Sequence, residues 1–348
     1  MKITLVNGFW GQNIGNSFFN FGGTELLKSL AGNESVSCVY DHPNYRTFAR
    51  RQSSFPKNFL NYFENLRTDF LVLQGPIFSS SFPILWNNIL PVLKRRGVKI
   101  VFLSSSFFRH NTEEISLVRN FLTFLKPYAV CTRDSETYSA LKNFVNNIHD
   151  GIDTSFFVPD FYDPVDLNLG NYVTFTFDRF HEPLTTFNSR TGLPVSEEDL
   201  SSFRIIYPTF LNFFSSKNKW LGYISSLLDF RSLPDSFGDF KIVRPHHRYT
   251  PYIPFRAIKR SNAFVSDEPY TYFSLYKNSS FTFSDRVHAC AITLAFGKPA
   301  MLHEHTKRSL LLKRVGAVEI EKRPASVNSL FLKTEKENMI RFLKNVFS

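Results

Sequence analysis

Ser284-Asp285-Arg286-Val287-His288-Ala289-Cys290 gathers a carboxylate, a guanidinium and an imidazole into one short run. The run lies between the strand-like Phe281-Thr282-Phe283 and the apolar pair Met301-Leu302. Ser or Asp ahead of an apolar-periodic stretch is a helix N-cap signal, and Gly297 followed by Pro299 is a stop signal. The segment reads as strand, tight turn, short helix, strand. Arg286 and His288 then fall in the first helical turn, where unpaired N–H groups and the helix dipole favour an anion. A fixed cation and a titratable imidazole beside such a hole can hold a phosphate and move a proton. The same residues also allow a plainer arrangement, with Asp285 capping the helix, Arg286 solvated and His288 packed against a neighbour. The next strand favours the first reading. Residues 299–302 are apolar and are followed at once by His303-Glu304-His305-Thr306-Lys307-Arg308, and ligands of open α/β sheets sit beyond the carboxyl ends of strands.

Two further strand ends carry polar groups. Gly11-Gln12-Asn13-Ile14-Gly15-Asn16-Ser17 separates the first strand from the first helix. Glycine there lets the backbone approach a ligand, and Asn or Ser can bond sugar hydroxyls or phosphate. Without a GxGxxG and a ribose-binding acid about 20 residues on, a dinucleotide is not expected. An ordinary turn with Asn16 as N-cap is the alternative. Cys131-Thr132-Arg133-Asp134-Ser135 repeats the arrangement at a later strand end. Arg133 either points into the cleft or pairs with Asp134 or Asp153. His246-His247 and the His303/His305 pair lack a third ligand, so structural roles are expected rather than a metal. The rim position gives His305 a second use.

These residues need a scaffold of alternating elements. Strands are expected at Ile3 to Asn7, Val36 to Tyr40, Phe70 to Leu73, Lys99 to Leu103 and Ala129 to Thr132. Helices are expected over 16–31, 83–96, 112–126 and 134–146, the last capped by Asp134. Strands alternating with helices imply a parallel sheet covered on both faces. Gly151 to Phe157, with Pro159 and Pro164, breaks the pattern and reads as a linker. A second series follows with strands at Tyr172 to Phe177, Phe240 to Arg244, Ala263 to Ser266 and Phe281 to Phe283. No structure is assigned to 181–239, and an amphipathic helix is expected over 336–346. The fold expected is α/β, two Rossmann-like domains facing a cleft: residues 1–158, residues 165–334, and a terminal helix, 335–348, returning to the first domain.

The composition fits. With 348 residues, 43% of them hydrophobic, the chain can bury large cores. Its 40 Phe are scattered through every element and read as core. Three distant cysteines, Cys38, Cys131 and Cys290, carry no zinc-like spacing, so neither a metal nor a disulfide is expected. The apolar start ends at Asn7-Gly8, too soon for a signal peptide, and no window reaches the ~18 apolar residues of a membrane span. A cytoplasmic protein is expected. Its formal charge of +11 is dispersed in couples such as Arg50-Arg51 and Lys313-Arg314. That suits anionic small molecules, acidic glycans or the inner face of an anionic membrane better than nucleic acid.

In this order, the landmarks resemble the polysaccharide pyruvyl transferase family. They are Asn13 to Gly15, Thr132-Arg133-Asp134-Ser135, Gly151-Ile152-Asp153 with Phe156, Arg286-Val287-His288-Ala289, Gly297-Lys298-Pro299 and Lys307. The resemblance implies a glycosyltransferase-B-like fold and transfer of pyruvate from phosphoenolpyruvate to a sugar, free or lipid-linked, as a ketal, without a cofactor. It makes the first domain the acceptor side, with Asn13, Gly15 and Asn16, and the second the donor side. Arg133, Arg286, His288 and Lys307 would hold the donor, with His288 as the acid. Two positions depart from the family: Asn16 stands where an Asp is usual, removing a candidate base, and Gln74-Gly75-Pro76 replaces a glycine-rich turn. A nucleotide-sugar glycosyltransferase, with Glu268 on the ribose, and a non-catalytic glycan-binding relative are the alternatives.

Overall fold

In a computed structural model, the structure describes residues 1–8, 13–40, 63, 65–187, 203–206, 221, 224, 227, 229, 232–247, 258–303 and 306–348. Most of the expected 181–239 gap, and Glu304 and His305, lie outside the described residues.

The first sheet holds β1 (Ile3–Asn7), β2 (Val36–Tyr40), β3 (Phe70–Gln74), β4 (Lys99–Ser105), β5 (Ala129–Thr132) and β6 (Ile148–His149). All are parallel, in the order β2-β1-β3-β4-β5-β6. β3, Phe-Leu-Val-Leu-Gln, is buried at every position, as a strand covered on both faces should be. The covering helices are α1 (Gly15–Ala31), α2 (Phe82–Trp86), α3 (Leu90–Arg95), α4 (Thr112–Leu125) and α5 (Ser135–Leu141). The expected single helix over 83–96 is two pieces, each opening with a proline in its first turn (Pro83, Pro91), where its missing N–H costs nothing. α4 is capped by Asn111, which accepts from Glu114 N. Asp134 caps α5 through Thr137 N, but α5 ends at Leu141, short of 146.

The second sheet runs β10-β11-β7-β13-β14, with β12 beside β11. Its strands are β7 (Tyr172–Thr176), β10 (Ser236–Phe237), β11 (Phe240–Pro245), β12 (Ala263–Phe264), β13 (Thr282–Ser284) and β14 (Ala300–Leu302), while β8 (Leu184–Phe187) and β9 (Phe203–Ile206) pair separately. Every pairing but β10–β11 is parallel in this sheet. Four helices complete the described chain: α6 (Val158–Phe161), α7 (Pro269–Asn278), α8 (Val287–Ala295) and α9 (Leu310–Lys313), before the terminal α10 (Ser329–Phe347).

Gly151 to Phe157, expected as a linker, is buried throughout. Thr154 Oγ1 donates to Phe19 O at 2.8 Å, and the Thr154 N–H donates to Ser104 Oγ at 3.2 Å. A Cβ on Gly22 would stand 1.9 Å from Thr154 O, so only glycine lets α1 lie this close. One apolar cluster runs from Ile3, Leu5 and Val72 through Ile152, Phe156 and Phe157 to Cys290, Leu294, Leu302 and, on α10, Met339 and Leu343. α10 returns to the first sheet, with Phe347 edge-on to Phe70 and Phe342 stacked on His149. No helix among the described residues is long and apolar enough to cross a membrane.

Candidate active site

The carboxyl ends of the two sheets face each other. In the first sheet the strand order reverses between β1 and β3, in the second between β7 and β13, and crevices form at such switch points. Residues 13–15 follow β1, Arg133 follows β5, Asp178 follows β7, His246 and His247 follow β11, and Arg286 follows β13. Parallel topology thus delivers the polar groups to one seam.

Arg286 is the N-cap residue of α8 and His288 lies within its first turn. Asp285 does not cap this helix. Its carboxylate turns back and accepts from the N–H groups of Asp178, Arg179 and Phe180 at 2.7–3.2 Å. Ser284 Oγ takes the Arg286 N–H at 2.8 Å instead. Burial pushes the Asp285 carboxyl up to about 6; Arg286 opposes the rise and Asp178 adds to it.

Arg286 Nη2 reaches the first sheet and donates to Asn13 Oδ1 at 2.7 Å. Asn13 Nδ2 in turn donates to Asn16 Oδ1 at 3.1 Å. A Cβ on Gly15 would stand 3.0 Å from His247 Nδ1 and 3.2 Å from His288 Cβ. Glycine therefore lets the loop press against both imidazoles. Ile14 N–H donates to His247 O at 2.9 Å, which fixes the loop.

Asp153, fully buried, sits between the sheets. Arg133 Nη1 donates to its Oδ2 at 2.8 Å, and His288 Nε2 lies 3.7 Å from the same oxygen. Arg133 Nε also donates to Ser106 Oγ at 2.9 Å. Burial would raise the Asp153 carboxyl, but His288, Arg133 and Ser155 outweigh it and hold it well below the ordinary range. Burial lowers His288, against the pull of Asp153 and with Arg133 and Arg286 reinforcing the fall. His288 Nε2 and His247 Nδ1 are buried and have no hydrogen-bond partner among the described residues. His247 Nε2 bonds Tyr276 Oη at 2.6 Å and its N–H donates to Asp178 Oδ2 at 2.7 Å. Burial pushes His247 down to about 3, opposed by Asp178 and helped by Arg286 and His288.

The sheets therefore bring Arg133, Arg286, His288, Asn13 and Gly15 together. Lys307 opens the turn Lys307–Ser309 and reaches the first sheet's side, both oxygens of Glu136 on α5 lying 3.1 Å from its Nζ. Glu268 is an exposed residue at the foot of α7 and makes no side-chain cap. Among the described residues no group of three His, Cys, Asp or Glu side chains could hold a metal.

Arg133 thus meets Asp153, Arg286 lies near Asp178 and Asp285, and burial disfavours the charged forms of His247 and His288. A multiply charged anion entering the seam would draw protons onto these histidines.

The sequence matches the family model for Polysaccharide pyruvyl transferase over residues 13–302. The chain belongs to the polysaccharide pyruvyl transferase family. No curated protein matches it. Among solved structures it is similar to a Staphylococcus aureus MnaA–UDP co-structure, at 12% identity and TM-score 0.51, over 100% of this chain and 90% of that one. It is also similar to a putative UDP-N-acetylglucosamine 2-epimerase from Listeria monocytogenes, at 11% identity and TM-score 0.51, over 98% and 90%. At these identities the likeness is one of fold: two Rossmann-like units in a glycosyltransferase-B-like arrangement.

In the sequence Asp153 stands out as a possible ion-pair partner for Arg133 and as part of the Gly151-Ile152-Asp153 landmark. Asp178 lacks any local signal of function, and the partners of Asp285 and His247 depend on which strands lie side by side.

Proposed function

We propose that this family member transfers pyruvate from phosphoenolpyruvate to a sugar of a glycan as a ketal. The Arg133–Asp153–His288 chain, with Arg286 and Asn13 beside it, carries the reading. Phosphoenolpyruvate brings a phosphate and a carboxylate, and two guanidinium forks near a helix N-terminus suit both. As the anion arrives, His288 takes up a proton, and Asp153 steadies the imidazolium. His288 then delivers that proton to the methylene carbon, leaving C2 an oxocarbenium-like electrophile. One sugar hydroxyl forms a C2–O bond and loses its proton. The C2–O bond to phosphorus breaks and inorganic phosphate departs toward Arg133 and Arg286. A second hydroxyl of the same sugar closes the ketal and loses its proton in turn. Lys307, with Glu136, stands at the donor rim in this reading, and Asn13, Gly15 and Asn16 face the acceptor. Residues 1–158 then form the acceptor side and 165–334 the donor side.

Phosphate release from phosphoenolpyruvate, measured with β-galactoside and mannosamine-type acceptors, tests the reading. Acceptor-dependent release is expected. Thermal shift by uridine or guanosine diphosphate with none by phosphoenolpyruvate would favour a nucleotide-sugar donor instead.

A further inference from the structure

A cavity of about 250 Å³ opens beyond the carboxyl ends of β3 and β4. Leu73, Phe82, Leu85, Trp86 and Phe108 supply its apolar wall, and Ser79, Ser80, Ser81, Arg109 and Glu114 its polar one. Such a wall, mostly aromatic and aliphatic with a few placed hydroxyls, is that of a small-molecule site. At about 250 Å³ it is on the scale of a single sugar ring.

The loop carrying Arg109 is held in shape. Glu114 Oε1 accepts the N–H groups of Phe108, Arg109 and His110 at 2.7–3.1 Å. His110 is thereby kept at φ +56, a backbone that non-glycine residues rarely adopt and that marks shaped loops. The guanidinium of Arg109 is exposed, and among the described residues no ion pair involves it. The same loop begins at Ser106, which receives Arg133 Nε. The cavity's other loop begins at Gly75, where a Cβ would stand 2.8 Å from the Phe19 ring. Phe19 in turn packs on His288 at 5.1 Å between ring centres. Both loops thus start beside residues of the seam.

We propose that this cavity seats the acceptor: a pyranose bearing an acidic substituent, with Arg109 as the cation that recognises it. The proposal rests on the pyruvyl-transfer reading. The acidic group is a carboxylate of an acidic polysaccharide or a phosphate ester of a sugar precursor, and both offer oxygens to a guanidinium fork.

Saturation-transfer NMR with galactose, mannose, their uronates and their 6-phosphates tests it, alongside a phosphoenolpyruvate titration. Acidic forms are expected to bind about tenfold more tightly than neutral ones, the effect of one charge-assisted hydrogen bond. Arg109→Ala should erase that preference, and Ser80→Phe should abolish binding of both forms while donor affinity stays unchanged. A preference for uronates points to an acidic polysaccharide, one for 6-phosphates to a phosphorylated precursor. If none of these sugars binds, or if both variants bind them as the parent does, the cavity is not the acceptor site. Should the donor still bind in that case, the pyruvyl-transfer reading survives; loss of donor binding in the parent overturns that reading itself.

Discussion

Arg286, at the foot of α8, donates to Asn13 on the loop after β1 at 2.7 Å, so one hydrogen bond ties the two sheets at their facing edges. The planar fork leaves further N–H groups for an anion. Arg286→Lys keeps the charge and loses the fork. Donor affinity should fall by about 10–100-fold, the range for a lost hydrogen bond to a charged group. Calorimetric titration with phosphoenolpyruvate checks this, and an unchanged affinity would remove Arg286 from the donor site.

His288→Gln removes the titrating group while keeping hydrogen-bonding reach. General acid–base catalysis contributes ~10²–10⁴-fold, so acceptor-dependent phosphate release should drop within that range, with donor affinity changed much less. Normal turnover with weakened binding would make His288 a phosphate ligand alone.

Donor binding should take up protons near neutral pH. Burial holds His288 below its ordinary value, and an adjacent phosphate favours its charged form. Affinity should therefore rise as pH falls from about 8 to 6. Titrations in buffers of different ionisation enthalpy count the protons. No dependence on the buffer would mean that His288 stays neutral in the complex.

Much of the scaffold is legible in the residues themselves. The apolar runs of β3, β4 and β5 are fixed by burial on both faces, and Asp134 caps α5 as its position predicts. The Asp285 turn was not legible. Nothing local distinguishes capping its own helix from accepting the N–H groups of 178–180, since the choice depends on β7 and β13 being neighbours. The stretch Gly151–Phe157 reads as a linker for a similar reason. Prolines and glycines signal a break in regular structure, but only tertiary packing shows that the break lies under α1.

Acidification should destabilise the fold. His247, at about 3 when folded, binds no proton between pH 6.5 and 3 where its unfolded form does, so its contribution to stability falls as pH falls through that window. At pH 5 the loss is roughly 2 kcal/mol for this residue. His110, His149 and His288 act in the same direction, whereas Asp285, held up to about 6, opposes them between 3.8 and 6. His247→Gln should flatten the decline of Tm between pH 7 and 5. An equal slope in parent and variant would contradict this assignment.

Gly22→Ala should lower stability by ~1–3 kcal/mol or more, because its Cβ meets the backbone carbonyl of Thr154 rather than a flexible side chain. Urea denaturation measures it. Parent-like stability would mean that α1 and residues 151–158 separate at little cost.

A crystal structure with phosphoenolpyruvate soaked in tests the central claim most directly. The account predicts a phosphate and a carboxylate within hydrogen-bond reach of Arg133 and Arg286, with the methylene carbon facing His288. Ligand density elsewhere, or a seam left empty at saturating donor, would contradict it.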